Sequence, residues 1–168
     1  MKSTIIKYGL IGFLSGLILF LIIFQFINDL QESTHMILSY FCMFLLVLLV
    51  IPVIKYEKHQ INSGQISFKK AFSIGIIICF FIGLGVGLAD YLYTAVIDPN
   101  FIENYTARTL KTMEETLTAQ EFETQKEAFN LQMKTFGSSF AMALFMLVNV
   151  LTVGLLVTIA SAFSLKSK

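Results

Sequence analysis

Residues 71–97 read AFSIGIIICFFIGLGVGLADYLYTAVI, an apolar run with one acid, Asp90, and no base. A helix needs roughly 20 apolar residues to cross about 30 Å of hydrocarbon. This run is slightly longer, which a tilted span accommodates. Ser67 precedes it, and Asp98-Pro99 closes it with a pair that reads as a helix stop and a new helix start. Composition points the same way: 56% hydrophobic and 14% charged residues leave too little polar surface to cover a water-soluble globule.

Three more runs have the same character. Ile5 to Ile27 carries only Lys7 near its start and ends in Gln25, Asn28 and Asp29. It is longer than a signal-peptide core and lacks an Ala-x-Ala site, so it is expected to be a retained anchor. Met36 to Ile54 follows Ser33-Thr34, a pair suited to capping a helix, and ends at Lys55, Glu57 and Lys58. Within it, Pro52 is expected to kink or loosen the last turn. Ser138 to Leu165 is apolar apart from small hydroxylated residues and Asn149, and is followed by Lys166 and Lys168. The expected fold is therefore all-α, a single polytopic membrane domain over residues 1–168 with spans at about 5–27, 36–54, 71–97 and 138–165.

Orientation follows from the lysines, since basic loops stay on the cytoplasmic side. Lys2, Lys7, Lys55, Lys58, Lys69, Lys70, Lys166 and Lys168 fall at the tails and the second loop, whereas the first loop, Asn28 to His35, has only Asp29 and Glu32. Both termini are expected inside. Tyr40, Tyr91 and Tyr93 fall at the outer boundary, where aromatic rings favour the interface.

Between Asp98 and Gly137 seven acids stand against four bases, marking a polar outer insertion between spans three and four. Forty structureless residues would be unusual, and two helices are expected. Asp98 caps the first, with Pro99 at its first position and Ile102, Thr106, Leu110, Met113 and Leu117 along one face. Thr118 to Glu121 has the form of a capping box, flanked by a Leu117/Phe122 staple, and opens the second. That helix carries Phe122, Phe129, Met133 and Phe136 on one stripe. The stripe can pack on its partner helix and the span ends, serve as a docking surface for another protein, or act as a ligand lid.

Asp90 is the one acid inside a span, and a carboxylate at that depth should face protein or a water-filled cavity. Asn149 lies somewhat deeper on the fourth span and Gln25 nearer the surface, so Asp90 and Asn149 form a candidate intramembrane polar site. They read either as an interhelical clamp or as an ion or proton site. Gly83, Gly85 and Gly87, with Gly12 and Gly16, have the small-residue spacings that let helices approach closely. The Gly83–Gly87 pattern lacks the preceding strand that a nucleotide loop requires. His35 and His59 fall at opposite faces and cannot share a metal. Cys42 and Cys79 sit in apolar runs without Cys-x-x-Cys spacing and read as small hydrophobic residues. No metal, cofactor or catalytic set is expected. The net charge of +1, with no basic cluster longer than a pair, argues against nucleic acid.

Lys7-Tyr8-Gly9-Leu10 opens the first span, Gly64-Gln65-Ile66-Ser67-Phe68-Lys69-Lys70-Ala71-Phe72 leads the third, Asp98-Pro99-Asn100-Phe101 opens the insertion, and Ala160-Ser161-Ala162-Phe163 closes the last. In these motifs the chain resembles the domain-of-unknown-function family four-one-nine-nine, small four-span bacterial inner-membrane proteins. The resemblance implies a multi-pass protein of the bacterial cytoplasmic membrane and supplies no activity, cofactor or site residue. Gly64 would permit a tight turn and Ser67 would cap the third span.

Three function classes remain. The first is a non-enzymatic component that binds or organises a membrane-protein partner or further copies of itself through Phe122, Phe129, Met133 and Phe136. The second is a small transporter or channel subunit using Asp90 and Asn149. An enzyme acting on lipid is least supported, because no paired acids, His/Asp set or nucleophile shares one membrane depth.

Overall fold

The computed structural model describes residues 2–27 and 32–167; most of the expected first loop, Asn28 to Gln31, lies outside them. Among the described residues four helical stretches are long and apolar enough to cross a membrane: Thr4–Phe26, Ile37–Ile61, Phe68–Ile97 and Ser139–Leu165. They belong to α1 (Lys2–Ile27), α2 and α3 (Glu32–Val47, Val50–Tyr56), α4 (Phe68–Leu92) and α7 (Ser139–Leu165). Between the last two stand α5 (Phe101–Thr116) and α6 (Ala119–Phe136), the expected two-helix insertion.

The second span departs from its expected bounds, and Pro52 is the cause. Proline offers no N–H to the carbonyl four residues back and crowds it with its ring. The Leu48 carbonyl instead accepts from Ile51 N–H at 3.0 Å, and Leu49 N–H bonds to the Leu46 carbonyl at 3.0 Å. The helix therefore parts at residues 48–49, a full turn before Pro52 rather than in its last turn. Beyond α3 a wide π turn, Glu57–Ile61, prolongs the column past Ile54. At the other end α2 begins at Glu32, so Ser33 and Thr34 fall within its first turn instead of preceding it. The side chains of Ser33 and His35 lie outside the described residues.

Helix α4 is the centre of the bundle. Its apolar window is 56% buried, against 11% for α7. Ser67 caps it, its hydroxyl accepting from Lys70 N–H, and a π turn, Tyr93–Ile97, extends it at the far end. The glycines explain how α4 takes a helix on each side. Residues two apart on a helix point about 200° apart, so Gly85 faces away from Gly83 and Gly87. Gly85 lies against the Phe13 carbonyl of α1, and on α1 a Cβ at Gly16 would sit 2.9 Å from the Ile82 carbonyl oxygen. On the opposite side, a Cβ at Gly87 would sit 2.8 Å from the Ala143 carbonyl oxygen of α7. Nearer the other end Gly75 faces Thr158 and Gly154 faces Cys79. The α7 pairs make that helix antiparallel to α4, whereas Gly9 against Phe81 at one end and Phe24 against Tyr93 at the other make α1 parallel to it. The core between them holds Phe20, Val50, Ile54, Ile78, Ile82, Val86 and Val150.

Two turns punctuate the ends. Ser63 at φ 50° and Gly64 at φ 86° make the reversal between the Glu57–Ile61 turn and α4. At the other end α5 begins at Phe101 with no side-chain cap at Asn100. Asp98 contributes only its carbonyl, which accepts from Phe101 N–H at 3.0 Å. Pro99 thus lies in the turn before α5 and not at its first position.

Replacing Gly85 by alanine drives a methyl group into the Phe13 backbone, an overpacking that costs on the order of 1–3 kcal/mol. The thermal unfolding midpoint in detergent should fall accordingly, while Leu84→Ala, on the exposed side of the same turn, should leave it nearly unchanged. Equal effects would rule out backbone-to-backbone packing at this turn.

Candidate functional site

Three polar or aromatic groupings stand out from the apolar bundle, and the sequence singled out residues in two of them. In the half bearing the α5–α6 hairpin, Asp90 is 8% exposed. Its Oδ2 has no hydrogen-bond partner among the described residues. Thr94, one turn on, donates its hydroxyl to the Asp90 main-chain carbonyl at 2.9 Å, leaving the carboxyl group aside. Asn149 spends its amide on its own helix, donating from Nδ2 to the Phe145 carbonyl at 3.1 Å. The Gly83–Leu147 and Gly87–Ala143 contacts fix the register of α4 on α7. Continued along the helices, that register sets Asn149 level with Phe81, about nine residues and roughly 13 Å along the axis from Asp90. Asp90 and Asn149 are therefore not brought together, and Gln25 is exposed.

The second grouping joins the hairpin to the bundle. Ring centroids run from Phe20 to Phe24 at 5.8 Å, Phe24 to Tyr93 at 5.2 Å, Tyr93 to Phe101 at 5.5 Å, Phe101 to Tyr105 at 6.4 Å and Tyr105 to Phe129 at 6.4 Å. Each spacing lies within the range favourable for aromatic pairs. The row starts on α1, passes through the π turn that ends α4, climbs α5 and finishes on α6. Phe129, on the stripe that could either pack inward or serve as a docking surface, is buried at the end of this row. The other stripe residues stay nearer the surface: Phe122 is half-buried beneath the Lys126 ammonium at 5.1 Å, Met133 is half-buried, and Phe136 is 62% exposed. The capping box that starts α6 is present, with Thr118 and Glu121 bonded reciprocally. The Thr118 hydroxyl and backbone N–H hold the Glu121 carboxyl below its ordinary value of 4.5.

The third grouping lies at the opposite end and was not singled out in the sequence. Glu57 opens the π turn after α3 and is fully buried. The Lys70 ammonium, from the first turn of α4, stands 3.4 Å from Glu57 Oε1 and donates to Asn62 Oδ1 at 2.6 Å. Asn62 in turn donates from Nδ2 to the Glu57 carbonyl at 2.8 Å. Lys58 donates to the Leu165 carbonyl at 2.9 Å, placing a cation at the negative end of α7. Ile66 N–H donates to Ser167 Oγ at 3.0 Å and Ser167 N–H to the Ile66 carbonyl at 2.9 Å. Four segments are thereby tied together: the end of α3, the loop after it, the start of α4 and the residues after α7. Lys55 and Lys58 on either side make Glu57 look like a loop residue. The signal in its favour is phase, because Val50, Ile54 and Glu57 follow the i, i+4, i+7 spacing of one helix face.

The two cysteines are free. Cys79 is buried against Gly154, with its sulfur 3.8 Å from the Thr158 hydroxyl, and Cys42 is half-buried. No grouping of three or more metal-ligating side chains occurs among the described residues.

Three spanning-length helical columns around a glycine-lined central one, with a helical hairpin at one end and a buried ion pair at the other, define a small polytopic membrane protein. The chain belongs to the family described as "Protein of unknown function (DUF4199)", whose model matches residues 7–167. No curated protein matches it and no solved structure matches it.

The Glu57–Lys70 pair should be energetically real. A double-mutant cycle with Glu57→Gln and Lys70→Gln, read by thermal or denaturant unfolding in detergent, should return a coupling of about 0.5–3 kcal/mol. Strict additivity of the two substitutions would make the pair a bystander.

Proposed function

We propose that this protein is a non-catalytic component of a bacterial cytoplasmic membrane that engages another membrane protein, or further copies of itself, through the hairpin α5–α6. The aromatic row from Phe20 to Phe129 supports this reading, because it anchors an amphipathic hairpin to the spans. A hairpin so anchored can hold a surface in fixed position, which lowers the ordering cost of binding. On this reading Phe129 is the anchor, while Phe122, Met133 and Phe136 form the contact surface.

The transporter alternative rests on Asp90 alone, since Asn149 stands at another depth. Its attraction is the buried carboxyl oxygen that has no hydrogen-bond partner among the described residues, a group that ordinarily marks bound water, an ion or a proton site.

The proposal also sets the hairpin outside the cytoplasm and both chain ends inside. The supporting asymmetry is eight lysines against one acid, Glu57, on the loops and tails of one side, and seven acids against four bases in the 98–137 segment on the other.

Two experiments bear on these readings. Gentle extraction from native membranes followed by mass spectrometry should yield a stoichiometric partner that is lost from the Met133→Ser/Phe136→Ser protein and kept by a Glu123→Gln control. Retention of that partner, or of a homo-oligomer, by the serine variant would place the contact elsewhere and turn attention to Asp90. For orientation, single cysteines replacing His59 and Glu123, both exposed, are to be probed with an impermeant maleimide on intact cells. Labelling should occur at 123 and not at 59, and the opposite result would invert the topology. Glu57 is too buried to serve as a probe position.

A further inference from the structure

The end of the bundle opposite the hairpin carries the side chains of Lys7, Lys55, Lys58, Lys69, Lys70 and Lys166. Its one acid, Glu57, is fully buried and paired with Lys70. A positive excess therefore faces outward at the boundary of the spanning segments. Within it a recess of about 280 Å³ opens between the loop before α4 and the residues after α7, lined by Gln65, Ile66, Ser67, Lys70 and Ser167. Two exposed lysines are next in sequence to lining residues, Lys69 beside Lys70 and Lys166 beside Ser167, and neither makes an ion pair among the described residues.

What lies beside the recess is apolar. Phe68 packs on Phe163 with ring centroids 4.7 Å apart and on Phe72 at 5.9 Å. Phe163 is 56% exposed, and the Lys166 ammonium lies 4.9 Å above its ring. Phe163 is on α7 and Phe72 on α4, both set back from the recess into the spanning segments. Lys70, itself paired with Glu57, and the polar Gln65, Ser67 and Ser167 thus line a concavity at the membrane boundary, with exposed lysines beside it and an aromatic surface leading from it along the helices. Basic pockets between helices at this level match the charge of acidic lipid headgroups.

We propose that the recess seats the phosphate of an acidic phospholipid, with Lys69 and Lys166 supplying the attraction and one acyl chain lying along Phe163, Phe68 and Phe72. The shared chemistry is that of a phosphate anion, and the aromatic surface is what favours the lipid as its source over a soluble phosphate. The binding requires no particular orientation of the chain and does not depend on the hairpin having a partner.

The test uses the full chain in neutral detergent. Native mass spectrometry should show phosphatidylglycerol retained in preference to phosphatidylcholine, and phosphatidylglycerol should raise the unfolding midpoint more than phosphatidylcholine does. The Lys69→Gln/Lys166→Gln protein should retain phosphatidylglycerol at least about tenfold less, since each lysine near a charged lipid surface contributes measurably. Lys55→Gln, at the same end but remote in sequence from the recess, should behave as the wild type. Raised salt should weaken retention, as it does for exposed charges. Equal retention of the two lipids, unchanged retention in the double variant, or an equal loss in Lys55→Gln would overturn the assignment. So would a midpoint rise with free glycerol 3-phosphate matching that with phosphatidylglycerol, which would make the occupant a soluble anion.

Discussion

Backbone-to-backbone approach along α4 is the constraint on which the rest of the structure depends. Lipid tails are as apolar as leucine, so helices inside a bilayer gain little from hiding apolar surface from one another, and close packing must supply the association. Here α4 meets α1 through Gly85 and Gly16, and α7 through Gly75, Gly87 and Gly154. With the two neighbours fixed on roughly opposite sides, α3 packs on α4 and α7, and α2 on α1 and α7. They do so chiefly through Met43, Leu46, Val47, Val50, Val53 and Ile54.

The two ends of this bundle are finished in different ways. At one, a buried ion pair and main-chain bonds hold three segments and the residues after α7 in a polar knot. At the other, a row of six aromatic rings carries the order of the core outward into the hairpin. Both ends use a π turn at the junction, and each turn opens with a buried residue, Glu57 or Tyr93. A π turn inserts an extra residue into the helical repeat, so the change of phase falls after Glu57 and Tyr93 rather than at them.

Much of this was legible in the sequence. Long apolar runs led to four spanning helices, Thr118 and Glu121 to the capping box, and the Gly64–Phe72 motif to the tight turn and the Ser67 cap. The family resemblance drawn from those motifs is matched by the family to which the chain belongs. Other features depend on information that composition does not carry. The break at 48–49 is displaced from Pro52 because the clash falls on the carbonyl four residues back. Asp98 looks like a cap by residue type, but the turn it enters uses its carbonyl. Glu57 reads as a solvated end because its neighbours are lysines, although its phase continues the buried face. Phe129 belongs to the same stripe as Phe136, and only the placement of Tyr105 decides that the first turns inward.

The glycines of α4 have one further consequence. Three of them within the five residues from Gly83 to Gly87 would make this the weakest turn of the helix in water, each being about 1 kcal/mol less favourable than alanine. Within hydrocarbon there is no water to accept the backbone groups that would be released, so the same turn has no competing state to unravel into. The segment that brings the neighbouring helices closest is thus one whose helicity belongs to the bilayer as much as to the chain. Solvent and sequence specify that turn jointly, and neither would do so alone.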